Sequence, residues 1–255
     1  MLTNSLLLTI VLSSNLIIGI LLGMSGISGF LLPLIYVGFL EIPVHDALAL
    51  SFLAFAVSGI LGAYSYWKSK NMDLKLALFL SIGSLPGAFL GVQINVLISD
   101  YLAKLLLYIF ILLAGLSIIF KKNNENALIK KSKALSHPFI VVIIGFLTAT
   151  ICALTGAGGP ILLVPLLVNL GVNIRVAVGV SLLNSVFIAI PSIFGYFAYA
   201  NIDSMYGLVI TSLIGVTIGI LAGTRLANKV PMNLLKIMIA IITILSSLYM
   251  LFTLK

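Results

Sequence analysis

The chain has 255 residues, 62% of them hydrophobic and only 8% charged. Soluble domains carry about 25% charged residues, so this composition cannot clothe an aqueous surface, and a water-soluble globular fold is excluded. The formal charge of +8 does not point to nucleic acid, because the Lys and Arg stand in short stretches between apolar runs, where orientation during membrane insertion accounts for them.

In chain order, the first apolar run is Asn4 to Leu22. No basic residue precedes it and no small-residue cleavage site follows, so it is expected to stay as a span and not to be removed as a signal peptide. It leads into G-M-S-G-I-S-G-F-L-L-P, Gly23 to Pro33, a glycine-rich interruption within the segment 4–40. At about 1.5 Å per residue that segment is too long for one ordinary crossing. A-L-A-L-S (Ala47 to Ser51) opens the next span, with Glu41 and Asp46 at its entry, where Asp46 suits a helix cap. After the N-M-D loop (Asn71 to Asp73) come the runs Leu74 to Ile98, carrying Gly83, Gly87 and Gly91, and Leu105 to Phe120. The polar, basic stretch Lys121 to His137 reads as a linker.

Beyond the linker the same features return in the same order. The run Phe139 to Leu154 meets T-G-A-G-G-P-I-L-L-V-P (Thr155 to Pro165), again inside an overlong segment, 138–170. A-V-G-V-S (Ala177 to Ser181), N-I-D (Asn201 to Asp203) and Gly215, Gly219 and Gly223 follow, before a last run from Leu234 to Leu254. The offset between halves stays between 130 and 132 residues. An ordered set of this kind indicates duplication: an N-terminal transmembrane repeat (1–120), a cytoplasmic linker loop (121–137) and a C-terminal transmembrane repeat (138–255). In lipid every backbone N–H and C=O must be bonded internally, and long runs without strict alternation make the spans helices and not barrel strands.

Basic residues sort the loops. The Asp73 loop carries Lys68, Lys70 and Lys75, whereas its mate around Asp203 carries none. The Asp100 loop carries Lys104 alone, whereas its mate carries Arg225, Lys229 and Lys236. If the loops at 68–75, 121–137, 171–175 and 225–236 are cytoplasmic, they hold 12 of the 14 Lys and Arg. Parallel halves with eight crossings would divide the same bases 9 to 5. The positive-inside rule therefore favours halves of opposite orientation. The fold class expected is an all-α membrane protein, a polytopic helical bundle of two inverted-topology repeats. It has eight obvious segments, and ten helices once the broken ones are counted. Whether each glycine-rich segment is a broken crossing or a re-entrant hairpin stays open at this level.

The two interruptions are the candidate site. Gly costs about 1 kcal/mol and Pro about 3 in a helix interior, so Gly156, Gly158, Gly159 and Pro160 together at membrane depth need a reason. Pro160 can open a new helix, whose free amides and positive dipole end attract an anion. Discontinuous helices of this kind bind substrate near the midplane of inverted-repeat transporters. The candidate substrate-binding residues are Ser25, Gly26, Ser28 and Gly29 in half one, Thr155, Gly156, Gly158, Gly159 and Pro160 in half two, and Ser51, Ser181 and Asn184, polar groups inside apolar runs. The alternative is that the glycines only permit close helix packing, which is also the reading of the two triads at four-residue spacing. Ser51, Ser181 and Asn184 either face the pathway or bond a carbonyl one turn back. Arg175 marks topology or attracts an anion on the cytoplasmic side.

Cys152 reads as a small buried packing residue. His45 and His137 have no partner set suited to a metal, and no Ser, His and acid constellation supports an intramembrane hydrolase. A dinucleotide fingerprint would need a strand before the glycines. No cofactor and no enzymatic activity are expected. Carboxylates, the usual residents of cation pathways, are nearly absent from the span centres, which favours an anionic or neutral substrate.

With these residues in place, the chain resembles the sulfite exporter TauE/SafE family, also called the toluene sulfonate uptake permease family. The likeness rests on G-x-G-G-P-I-L-L-V-P at Gly156 to Pro165, the looser copy at Gly23 to Pro33, the A-x-x-x-S helix starts and the N-x-D loops. It implies a multi-pass carrier in a plasma membrane of prokaryotic type. Its substrate class would be small sulfur-containing anions such as sulfite, sulfoacetate or organosulfonates. Half one departs from the tighter pattern, with Ile27 and Ser28 where half two has Gly159 and Pro160, so the first break is expected to be less sharp. The expected partners are the lipid bilayer, a small anion and, through exposed helix faces, a second copy in a homodimer. The competing functions are a metal-ion or other cation carrier and a non-transporting membrane scaffold.

Overall fold

The computed structural model describes residues 4–120, 132–200, 202–226 and 232–254. Most of the basic linker (121–131), Asn201, Lys229 and Lys255 lie outside the described residues. Among the described residues there is no strand. Half one contains α1 (Asn4–Ser25), a 3-10 turn (Ser28–Phe30), the short α2 (Leu31–Leu34), a π-helical turn (Ile35–Phe39), α3 (Val44–Lys68), α4 (Leu74–Leu97) and α5 (Asp100–Phe120). A 3-10 turn at Lys133–Ser136 precedes half two, which contains α6 (Pro138–Thr155), α7 (Gly159–Asn169), α8 (Ile174–Phe197), α9 (Ile202–Leu226) and α10 (Met232–Thr253).

Seven of these helices are apolar and long enough to cross a membrane. Their surfaces invert the soluble pattern. Ile82, Phe89, Phe194 and Phe252 are exposed, while Asn15, Ser51, Ser84, Asn184 and Ser192 are buried. That distribution suits a hydrocarbon solvent, where large apolar side chains face outward and polar ones must find partners inside. Local signals end the helices as expected. Asp73 caps α4 by accepting from the Leu76 amide at 3.0 Å, and Asn173 caps α8 by accepting from the Arg175 amide at 2.9 Å. Asp46 is not a helix cap, because Pro43 holds that position and Asp46 falls in the first turn of α3.

The glycine triads make the two tightest helix pairs, each joining the first helix of one half to the fourth of the other. Gly83, Gly87 and Gly91 of α4 lie on Val142, Phe146 and Thr150 of α6. Gly215, Gly219 and Gly223 of α9 lie on Leu12, Leu16 and Ile20 of α1. A Cβ at any of these six would run into backbone of the partner helix, so here the missing side chain permits close approach. Numbers rise together along both pairs, so each pair is parallel. The third cross-half pair, α3 with α8, is antiparallel: Gly59 lies on Ser185 and Val186, and Gly62 on Leu182.

At each interruption the chain turns back on itself. The Ser132 amide donates to the Leu170 carbonyl at 2.9 Å, which brings the end of α7 beside the start of α6. In half one, Gly29 packs on Leu22 while the Tyr36 hydroxyl accepts from Asn15, so the returning arm runs antiparallel to α1. Both interrupted segments are therefore hairpins of a full-length helix and a short arm. The α7 arm, with 11 residues, extends only about 16 Å.

Candidate functional site

The sharpness of the two turns follows from their residues. Thr155 ends α6, Gly156 takes the left-handed conformation at φ +69°, and Gly158 has φ +76° before α7 begins at Gly159 with Pro160 in its first turn. A side chain at Gly156 would collide with Leu48, in addition to the cost of about 1–2 kcal/mol of left-handed backbone for an L-residue. Half one turns at Gly26, φ +72°, whose amide still donates to the Leu22 carbonyl at 2.7 Å. Ser25 then accepts from the Ile27 amide at 3.2 Å. This arm restarts through a 3-10 turn, a four-residue helix and a π-helical turn, and lacks the clean Gly-Pro start of half two.

The two turns meet on Phe55 of α3. A Cβ on Gly29 would stand 2.9 Å from one edge of the Phe55 ring, and a Cβ on Gly158 would stand 3.2 Å from the opposite edge. Around this ring is a narrow cavity of about 10 Å³, lined by Ile27, Gly29, Ala157, Gly158, Ser58 and Ser185 among others. That is the lower limit for holding one water, too tight for a polyatomic solute in the conformation seen. The carbonyl of Gly158 is held by the buried Cys152 thiol at 3.2 Å, and that of Leu154 by the Asn95 amide at 2.7 Å. The amides of Gly158 and Gly159 take no loop carbonyl or side-chain partner among the described residues.

Leu22, Ser58 and Leu182 line both this cavity and a larger one of about 480 Å³. The larger vestibule opens at the end of the bundle where Lys68, Lys70, Arg175 and Arg225 lie. Towards the opposite end the described residues form a stack of rings. Phe55 meets Phe52 edge-on at 5.5 Å, Phe52 stacks on Tyr196 at 5.8 Å, and His45 lies on Tyr196 at 6.1 Å and on Tyr199 at 6.0 Å. Tyr196 is fully buried and its hydroxyl donates to the Ala153 carbonyl at 2.7 Å.

Of the residues anticipated from the sequence, Gly29, Gly158 and Pro160 line the inner cavity and Gly26 the vestibule. Gly159 packs on Ser185 and Ile188 of α8. Ser25, Ser51 and Thr155 each donate to the carbonyl four residues back, at 2.7 Å. Asn184 accepts from Ser84 of α4 at 2.8 Å, joining α8 to α4 at some distance in sequence from either turn. Ser28 Oγ, Ser181 Oγ and Asn184 Nδ2 are buried without a partner among the described residues. Phe55, Ser58, Leu182 and Ser185 were not anticipated. Their sequence signal is the 130-residue offset between matching motifs, which aligns Phe55 with Ser185.

A family model described as Sulfite exporter TauE/SafE matches residues 11–250. The probable membrane transporter protein YdhB of Bacillus subtilis is 29% identical over 243 residues, covering 92% of this chain and 97% of that protein. A second Bacillus subtilis protein, the probable membrane transporter protein YjnA, is 24% identical over 247 residues, covering 92% and 96%. No solved structure gives a significant match.

Proposed function

The chain belongs to the sulfite exporter TauE/SafE family, whose members are membrane transporters and not enzymes, and on that basis we propose that it carries a small sulfur-containing anion by alternating access. The substrate class is sulfite, sulfoacetate or a related organosulfonate. The membrane is a plasma membrane of prokaryotic type. The observation that carries this reading is the meeting of the two glycine turns on opposite edges of Phe55, around a cavity that adjoins an open vestibule. The start of α7 presents amides at the positive end of a helix, in a setting of low dielectric where such groups act strongly on an anion. Ser28, whose buried hydroxyl has no partner among the described residues, adjoins Gly29 and offers a further donor. Open on the basic side and closed by rings on the other, the conformation corresponds to one end state of a rocking cycle. Outward movement of a monovalent anion is helped by about 2.3 kcal/mol per 100 mV of inside-negative potential.

The halves are proposed to be inverted copies. Parallel α1 and α9, parallel α4 and α6, and antiparallel α3 and α8 support opposite orientation of matched helices. With single cysteines at Lys70 and Lys229, a membrane-impermeant reagent is expected to label both from the cytoplasmic face only. Labelling from opposite faces would refute the inversion. The transport reading is tested by reconstituting the purified protein into vesicles. Saturable flux of sulfite or a sulfonate is the expected result, and cation flux without anion flux would replace it with a cation carrier.

A further inference from the structure

The vestibule has chemistry of its own. Ser65, Tyr66, Ser69, Asn71 and Thr224 give it a polar wall, and Arg175 is the sole charged side chain among its lining residues. No carboxylate pairs with the Arg175 guanidinium among the described residues, and its charge is felt at the Tyr66 hydroxyl. Arg175 stands in the first turn of α8, so the positive end of that helix adds to its charge. A planar guanidinium in a concave, partly apolar site focuses an anion-attracting potential and matches two oxygens of one oxyanion.

The repeat gives this position a second meaning. At the 130-residue offset, Arg175 matches His45, Tyr66 matches Tyr196 and Leu182 matches Phe52. On the closed side those mates are packed ring on ring. On the open side the matching residues stand around a space of about 480 Å³. The same framework thus holds a ring stack towards one end of the bundle and, at the other, a chamber whose cation has no carboxylate partner among the described residues.

We propose that Arg175, with Tyr66 beside it, forms an anion-capture subsite for sulfonates and related sulfur oxyanions at the vestibule mouth, separate from the cavity between the glycine turns. It loads the carrier from the basic side and rejects cations before they reach the narrow cavity. The ligand class is taken from the proposed function, but the test needs no transport.

In the full-length protein, Ser69→Cys places a thiol on the vestibule wall, while the native Cys152 is fully buried and silent. Its reaction is followed with two thiosulfonate reagents of similar size, one ending in a sulfonate and one in a trimethylammonium, each normalised to its rate with a free thiol. The sulfonate reagent is expected to react about tenfold faster, reflecting local enrichment of the anion, and its rate is expected to saturate with concentration. Arg175→Gln should bring the ratio to within about twofold of unity and abolish saturation, while Arg175→Lys should keep the charge preference but lose saturation. A ratio unchanged by Arg175→Gln, or no labelling at Ser69→Cys by either reagent, overturns the subsite. No anion flux in vesicles holding the unaltered protein, with the charge ratio as expected, would instead count against the transport reading and leave the subsite standing.

Discussion

Replacing Gly158 with Leu is expected to reduce anion flux to the level of empty vesicles while the protein still inserts and remains folded. Gly158 has φ +76° and ψ 152°, a region that is essentially glycine's alone and costs an L-residue about 1–3 kcal/mol, so a leucine there is strained before any packing is considered. Its Cβ would already stand 3.2 Å from the Phe55 ring. The remaining carbons of Leu have no place to go except the cavity of about 10 Å³ between the turns. The inserted side chain therefore wedges Phe55 away or fills the volume that substrate must enter. Insertion depends on the long apolar helices, which are untouched. Gly158→Ala adds strain without filling the cavity and should leave a reduced, measurable flux. If Gly158→Leu retains more than about a tenth of wild-type flux at equal amounts of inserted protein, the turn is not part of the pathway.

Phe52→Ala is expected to lower flux by roughly tenfold to a hundredfold and to expose the closed end of the bundle. Phe52 is fully buried, stacks on Tyr196 at an interplanar angle of 11° and meets Phe55 edge-on. Truncating a buried Phe to Ala removes about 3–5 kcal/mol of packing. In the proposed cycle that loss falls on the conformation in which the rings are stacked, so the population shifts towards the one open at that end. Ser192, fully buried one turn before Tyr196, is the reporter position. A cysteine there should be silent in the otherwise native protein and should react with an impermeant reagent from the far side once Phe52 is Ala. Loss of flux with no gain in reactivity would mean that the rings support the fold and do not gate the pathway.

These expectations depend on features that differ in how far sequence reveals them. Helical, multi-pass organisation was legible because the hydrocarbon solvent imposes long apolar runs with few alternatives. The turn at Gly156 and Gly158 was legible for a related reason: two glycines and a proline in such a run have no place in a continuous helix. That each interruption is a hairpin was not legible, since Gly and Pro break a helix without setting the direction in which the chain resumes. That direction emerges from distant contacts such as Ser132 with Leu170. Phe55 was hidden because a phenylalanine in an apolar span carries no mark of what it touches. Ser51 and Thr155 carried a signal of the opposite kind. A hydroxyl in an apolar run can serve a site or bond the carbonyl one turn back; both make that bond, and spacing does not separate the two uses. Asn184 accepts from Ser84 of α4, a tie between helices distant in sequence that spacing could not show.

The most direct test is to locate the anion itself. Selenite has the shape and charge of sulfite and scatters anomalously, so crystals of the unlabelled protein grown with it can be measured at the selenium edge. If the turns hold the substrate, an anomalous peak is expected between Gly29 and Gly158, with the Phe55 ring displaced and the Ser28 hydroxyl or the first amides of α7 within hydrogen-bonding distance. A protein that carries selenite in vesicles but shows its bound selenium only at sites remote from both glycine turns would contradict it.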